Sequence, residues 1–239
     1  MKRKIFKPLL AAGISIAILG GCASTQPGLV DSGNSNTAGG AMLGALAGGI
    51  IGANSGSSRH SGRNALLGAA VGAAAGGAIG YSMDNQANEI AHALGTGVNN
   101  DPLAALDPNR DIIVSKTNNY VKIMFRDRMM FASGSSTLQS SARSKVRKVA
   151  QLLENYPQTV VGVAGFTDDQ GSYSYNQNLS EKRAGNVASI LAVNGYPSTK
   201  GCSYNKPIVP NDNSSNRALN RRVEVYLYAN RNMMSDPCR

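Results

Sequence analysis

The second half of this 239-residue chain predicts an α+β domain in which helices pack on one sheet. Two apolar runs flank a short polar turn, which is typical of a β-hairpin, and later apolar residues recur with helical spacing between strand-like segments. The elements predicted from these patterns lie at 112–114, 120–125, 142–156, 160–164, 179–191 and 223–228. The predicted order is βαβα with a closing strand, in a domain from residue 111 to residue 230, with 231–239 as a C-terminal tail.

The candidate functional residues lie where a buried strand gives way to a helix. A turn at Gly165–Gly171 contains Asp168, and Arg183 follows about three helical turns later. A helix that folds back on its strand would bring this carboxylate and guanidinium to one pocket. Such a pair suits a ligand with an ammonium and a carboxylate on one carbon, because the arginine fork binds a carboxylate through two hydrogen bonds. For an isolated Asp and Arg, a simple salt bridge that closes the turn is the favoured interpretation.

Three motifs change that balance. They are Gly-x-Thr-Asp-x-x-Gly from Gly165, Asn-x-x-Leu-Ser-x-x-Arg-Ala from Asn176, and Asn-Arg-Arg-Val-Glu at 220–224. In this order, within 120–228, they resemble the OmpA-like peptidoglycan-binding domain. The resemblance implies non-covalent binding of peptidoglycan, with Asp168 and Arg183 holding the free end of diaminopimelate in the stem peptide. It also implies that Thr167 and Asn176 line the site and that Arg222 lies near it.

The chain departs from the usual family pattern at two places. Ala132 follows Phe131 where the family often has an acidic residue. The family's usual Gly-Tyr-Gly-Glu is here Gly-Cys-Ser-Tyr, at 201–204. These departures concern the rim of the expected pocket, and they leave Asp168 and Arg183 in place.

The first 21 residues predict a secretory signal peptide, with a basic start and an apolar run. That run is well short of the roughly 20 residues that a membrane span needs, which disfavours a retained anchor. Leu-Gly-Gly-Cys, ending at Cys22, resembles the bacterial lipoprotein box and implies cleavage before Cys22 and its lipidation. Because Ala23 rather than Asp follows, the family analogy implies an outer-membrane anchor that faces the periplasm.

Lipidation of Cys22 would leave Cys202 and Cys238 as an even pair in a compartment that permits disulfides. The prediction is a Cys202–Cys238 disulfide that pins the tail to the region of Gly201. Two unpaired thiols remain the alternative, because the sequence does not give the distance between them.

The segment between the lipid and the folded domain has three predicted parts. Residues 22–37 are polar and small, which predicts a flexible tether. Glycine then recurs every four residues in two segments within 38–83, and such stripes let helix backbones approach closely. We interpret 38–83 as a helical hairpin that resembles the glycine-zipper domains of envelope lipoproteins and that could also form a homo-oligomer; a structureless low-complexity linker is the alternative. Residues 84–110 are predicted to be a linker with a short amphipathic piece.

The composition and the motifs disfavour several classes of function. The formal net charge is +10, but basic residues are dispersed, aromatic residues are few and the signal peptide directs export, so nucleic acid is not an expected partner. His60 and His92 stand in no metal-ligand spacing, and no nucleophile motif is present, so neither a metal, a cofactor nor an enzymatic activity is expected. A peptidoglycan hydrolase is the weak enzyme alternative.

The predicted function is that of an outer-membrane lipoprotein that tethers this membrane to peptidoglycan. The main alternative is an accessory subunit of an envelope-spanning secretion system or motor, docked on the wall through the same domain.

Overall fold

A computed structural model of the protein describes residues 79–239. The predicted signal peptide, the lipidation site at Cys22, the tether and all but the last five residues of the glycine-rich hairpin lie outside the described residues.

One five-stranded sheet organises the domain. Its strands are β1 (Ile112–Lys116), β2 (Tyr120–Arg126), β3 (Val160–Phe166), β4 (Ser198–Gly201) and β5 (Arg222–Tyr228). Their spatial order is β1-β2-β5-β3-β4, with β3 and β4 parallel and the other neighbours antiparallel. The predicted hairpin is confirmed as β1 and β2, in which Val114 pairs with Ile123. The last strand in the sequence therefore lies at the centre of the sheet.

Three helices cover one face of this sheet. The described helices are α1 (residues 79–93), α2 (Asp127–Met130), α3 (Ser140–Leu153), α4 (Tyr173–Leu191) and α5 (Ser214–Asn220), with 3-10 turns at Pro102–Leu106 and Arg231–Met233. The main core lies between the sheet and helices α1, α3 and α4, and includes Ile90, Val149, Val187, Val225 and Leu227. The predicted α+β class, with helices packed on one sheet, is confirmed.

The prediction that residues 84–110 form a linker is wrong. Helix α1 continues through the predicted boundary, and its apolar side chains at 83, 87, 90 and 91, with Leu94 directly after it, are all buried in the main core. Asp84 forms a buried ion pair with Lys116 of β1, at 2.7 Å between Oδ1 and Nζ. Val98 then pairs with Val114 as an isolated parallel bridge. The folded domain thus begins at least 30 residues earlier than predicted, because α1 has an apolar face that the core buries.

The C-terminal tail covers part of the other face of the sheet. There Phe166, Tyr226 and Tyr228 form a second cluster against which Met233 and Cys238 pack. Cys202 and Cys238 form a disulfide, with their Cα atoms 5.2 Å apart. Lys200 and Asp236 add an ion pair of 2.7 Å between the edge strand β4 and the tail. Covalent, ionic and apolar contacts therefore hold the tail on the sheet.

Within residues 79–239, no helix is both long enough and apolar enough to cross a membrane.

Candidate functional site

A cavity of about 520 Å³ opens beside the turn that joins β3 to α4. Its walls come from this turn, from α2 and the loop after it, from one face of α4, and from the residue before β5. Four residues anticipated from the sequence line it together, namely Thr167, Asp168, Asn176 and Arg183.

The turn after β3 is held by its own hydrogen bonds. The Asp168 carboxylate accepts a hydrogen bond from the Gln170 backbone N–H at 3.1 Å. Asn176, one turn into α4, donates its side-chain N–H to the Gln170 carbonyl at 2.9 Å. Gly171 has φ of +93°, in the left-handed region that glycine tolerates best. The carboxylate of Asp168 is therefore fixed before any ligand arrives.

A close approach between β3 and α4 brings Arg183 to the same cavity. A Cβ at Gly165 would lie 2.2 Å from the carbonyl oxygen of Ser180, so this position requires glycine. The buried Ser180 hydroxyl also accepts a hydrogen bond from the Ser203 N–H at 3.1 Å. These motif residues thus lock the helix against its strand, which sets the separation of Asp168 and Arg183.

Arg183 is almost completely buried, with a relative exposure of 2%. Its Nη2 lies 2.9 Å from Oδ1 of Asp127, and its Nε donates to the Ser135 carbonyl at 3.0 Å. Its guanidinium carbon lies 5.0 Å from the centre of the Phe131 ring, within the range of a cation–π contact. Arg183 is therefore part of the fold as well as of the cavity.

Asp168 has a different cationic partner. Arg221, the residue before β5, places Nη1 2.6 Å from Oδ2 of Asp168 and Nε 3.7 Å from Oδ2 of Asp127. Two carboxylates and two guanidiniums thus alternate around the cavity, and their formal charges cancel. Sequence reasoning missed Asp127 and Arg221. It also offered a salt bridge between Asp168 and Arg183 as the simpler interpretation, whereas in the structure Asp168 pairs with Arg221 and Arg183 pairs with Asp127.

Burial opposes the charged forms of the paired side chains Asp127 and Arg183. It raises the pKa of the Asp127 carboxyl, against the attraction of Arg183 and Arg221. It also lowers the pKa of Arg183, against the attraction of Asp127. A ligand that brings its own charges to these groups would strengthen the pairing in a site of reduced dielectric constant.

Thr167 contributes a polar group whose hydrogen bonds are not satisfied. Its backbone N–H donates to the Ser203 carbonyl at 2.9 Å, and the residue is only 3% exposed. Its hydroxyl is buried and has no hydrogen-bond partner among the described residues. Since buried hydroxyls are normally paired, this one is a candidate to bond a ligand in the cavity.

Arg222 does not lie with the others. Its guanidinium stacks on Phe166 at 3.8 Å and its Nε bonds Glu224 at 2.7 Å, on the opposite face of the sheet from the main core. The expectation that it borders the site is wrong, because Val223 and Val225 face the main core and alternation sends Arg222 to the other face. Arg221 occupies the expected place instead, and this alternation was already visible in the sequence.

Within residues 79–239, no cluster of three or more His, Cys, Asp or Glu side chains could hold a metal ion.

The fold and the motifs at this cavity define an OmpA-type domain. Residues 130–221 match the OmpA family, and residues 1–84 match the YMGG-like Gly-zipper. The chain therefore has one segment that matches each of these two families, as the two resemblances predicted.

Its relatives include lipoproteins. The chain is 35% identical over 152 residues to the probable lipoprotein YiaD of Escherichia coli (strain K12). This match covers 62% of this chain and 63% of that protein. It is 38% identical over 106 residues to the peptidoglycan-associated lipoprotein of Legionella pneumophila, covering 43% of this chain and 60% of that protein. The chain thus spans less than two thirds of the length of either relative.

Among solved structures, the chain is similar to the cell wall anchor of the T6SS from Pseudomonas aeruginosa. The two are 26% identical, with a TM-score of 0.46, and the match covers 53% of this chain and 94% of that one.

Proposed function

We propose that the protein binds peptidoglycan non-covalently at this cavity and tethers the outer membrane to the cell wall. The observation that carries the proposal is the alternation of two carboxylates and two guanidiniums around one cavity. A ligand group with one ammonium and one carboxylate has no net charge, so it can join such a ring without leaving a charge unpaired. The free end of diaminopimelate is a group of this kind.

In the proposed complex, each ligand charge meets a residue of opposite sign. Asp168 receives the ammonium, and Arg183 receives the carboxylate. Thr167 supplies its unpaired hydroxyl, and Asn176 supplies a neutral hydrogen bond. In the free protein, Asp168 already pairs with Arg221 and Arg183 already pairs with Asp127. Binding therefore exchanges or extends ion pairs and leaves no charge isolated.

The tethering role rests on both ends of the chain. Lipidation at Cys22 would place one end in the outer membrane, facing the periplasm, and the names of the relatives YiaD and peptidoglycan-associated lipoprotein agree with a lipoprotein. The other end carries the cavity. No step of bond cleavage is proposed, because the arrangement needs only charge pairing and hydrogen bonds to hold its ligand.

Replacement of Asp168 by Asn tests the site. The ammonium loses its countercharge, so binding to purified peptidoglycan should weaken by about 1.5 to 3 kcal/mol, roughly 10- to 150-fold in affinity. Sedimentation with peptidoglycan over a range of protein concentrations measures this change. Arg183 is a less clean target, since its removal also leaves the buried Asp127 carboxylate without its closest cation.

Asp169→Asn is the matched control. Asp169 is the exposed neighbour of Asp168 and does not line the cavity, so its replacement removes the same charge from the same turn without touching the site. If Asp168→Asn melts like the parent and also sediments like it, the Asp168 carboxylate does not hold the ligand and the proposed site is wrong. Co-purification of the full chain in fixed ratio with other envelope proteins would indicate a subunit of a larger machine rather than a stand-alone tether.

A further inference from the structure

A second, smaller cavity of about 180 Å³ adjoins the proposed peptidoglycan site. Arg128 and Arg221 line both cavities and therefore form the wall between them. Arg126 and Ser215 line the second cavity only, together with apolar side chains. Among the described residues, those that line it include three arginines and no acidic side chain.

Arg126 is a buried cation without a carboxylate partner among the described residues. It is 3% exposed, and its terminal nitrogens donate to the carbonyl oxygens of Leu219 and Ala105. Its Nε has no hydrogen-bond partner among the described residues. Burial, together with the cations Arg222 and Arg128, lowers the pKa of Arg126 to about 10, against the weaker attraction of Asp111 and Asp107, so it remains protonated at neutral pH.

The nearest acids to Arg126, Asp111 and Asp107, do not line this cavity. Arg128 pairs with Asp111 at 2.7 Å, but both side chains are substantially exposed, at 58% and 41%. The two carboxylates that bond Arg221, Asp127 and Asp168, line the larger cavity. Among the described residues, the charged side chains that line the smaller cavity are therefore all cationic, whereas those that line the larger cavity include two carboxylates.

We propose that the smaller cavity is a subsite for a second carboxylate of the peptide whose zwitterionic end occupies the larger one. This proposal rests on the proposed function and extends it from one end group to the adjoining residue of the peptide. Guanidiniums bind carboxylates well, and the shared wall of Arg128 and Arg221 places such a group next to the zwitterion. The subsite would favour an acidic peptide over a neutral one with the same end group.

Two synthetic peptides test the subsite. Both carry the same diaminopimelate end, and they differ only in whether the neighbouring residue has a free carboxylate or its amide. The protein should bind the free carboxylate form about two- to fivefold more tightly, the range for a partly exposed ion pair. Titration calorimetry at low salt measures both affinities, and added salt should reduce the difference.

Ser215→Asp is the most specific variant for this question. Ser215 is exposed on α5 and lines only the smaller cavity, so an acid there opposes a second carboxylate without adding a group to the larger cavity. It should abolish or reverse the preference between the peptides. Ser144→Asp, an equal charge change at an exposed position of α3 that lines neither cavity, should keep it.

The outcomes separate the two proposals. Equal binding of the peptides by the parent, or a preference that survives Ser215→Asp, overturns the subsite while leaving the larger cavity as the wall-binding site. Failure of the parent to bind either peptide overturns both. Loss of both peptides in Asp168→Asn, with the preference lost in Ser215→Asp, supports both.

Discussion

Arg221 and Arg222 are neighbours in the sequence, yet they belong to charge clusters on opposite sides of the domain. Arg221 is about one third exposed and reaches across an open cavity to two carboxylates. Arg222 is 3% exposed and lies between Phe166 and Glu224, whose other oxygen accepts the Tyr226 hydroxyl. Similar ion pairs thus lie in two different settings: the pairs of Arg221 are open to solvent at the proposed binding site, whereas the pair of Arg222 is sealed inside the fold.

The sealed cluster also differs in its titration. Burial alone would raise the pKa of Glu224, but Arg222, Lys122 and the hydrogen bonds outweigh it and the pKa is lowered. A lowered pKa means that the folded state favours the carboxylate, so this group stabilises the fold above its unfolded pKa of about 4.3. That stability is lost as the pH falls through the pKa of the folded state.

Glu224→Gln should have the largest effect on stability. It leaves the buried Arg222 guanidinium without its carboxylate, and breaking such a pair from one side typically costs about 3 to 5 kcal/mol. Urea unfolding at pH 7 measures the loss in the free energy of unfolding. The difference from the parent should shrink as the pH is lowered below 4, because the parent then protonates Glu224. A difference that is the same at pH 7 and pH 3 would contradict the assigned role of this carboxylate.

Loss of the disulfide should come next. Closing a loop of 36 residues between Cys202 and Cys238 is expected to stabilise the domain by about 3 to 4 kcal/mol on the chain-entropy estimate. The double variant with Ala at both positions should therefore melt at a lower temperature, and the parent should do the same after reduction. Reductant should leave the melting temperature of the double variant unchanged. If reductant also leaves the melting temperature of the parent unchanged, the disulfide does not contribute to stability.

Ser203→Gly should have the smallest effect, and of opposite sign. Ser203 has φ of +47° and stands where the family usually has glycine. Its buried hydroxyl also has no hydrogen-bond partner among the described residues. Glycine relieves the backbone and should stabilise the domain by about 1 kcal/mol. Ser203→Ala removes the hydroxyl but keeps Cβ, so a comparable gain in both variants would assign the effect to the hydroxyl instead of the backbone.

Much of the fold was predictable because it depends on local periodicity. The hairpin, the two long helices and the central closing strand follow from apolar spacing in the sequence. Helix α1 and the residue after it carry the same apolar spacing, at 83, 87, 90, 91 and 94, but the polar surroundings and the nearby glycines and prolines led to the linker interpretation. The burial of α1 arises from tertiary packing, which weak local sequence patterns do not reveal.

The site was predictable in part. Thr167, Asp168, Asn176 and Arg183 come from two motifs close in sequence, and the structure brings them together. The ion-pair partners Asp127 and Arg221 lie 56 and 38 residues from Arg183, so only the packing of α2 and β5 shows them. The alternation of side chains along β5 could have shown that Arg221 and Arg222 lie on opposite faces of the sheet.

The docking of α1 changes how far the proposed lipid anchor at Cys22 can lie from the wall. With the folded domain beginning by residue 79 instead of residue 111, the greatest contour length of the intervening chain falls from about 310 Å to about 200 Å at ~3.5 Å per residue. Tension between membrane and wall would then enter the domain through α1. The load would fall on its apolar contacts with the core and on the buried Asp84–Lys116 pair. The strength of the connection would be set by how firmly this helix resists being pulled from the sheet.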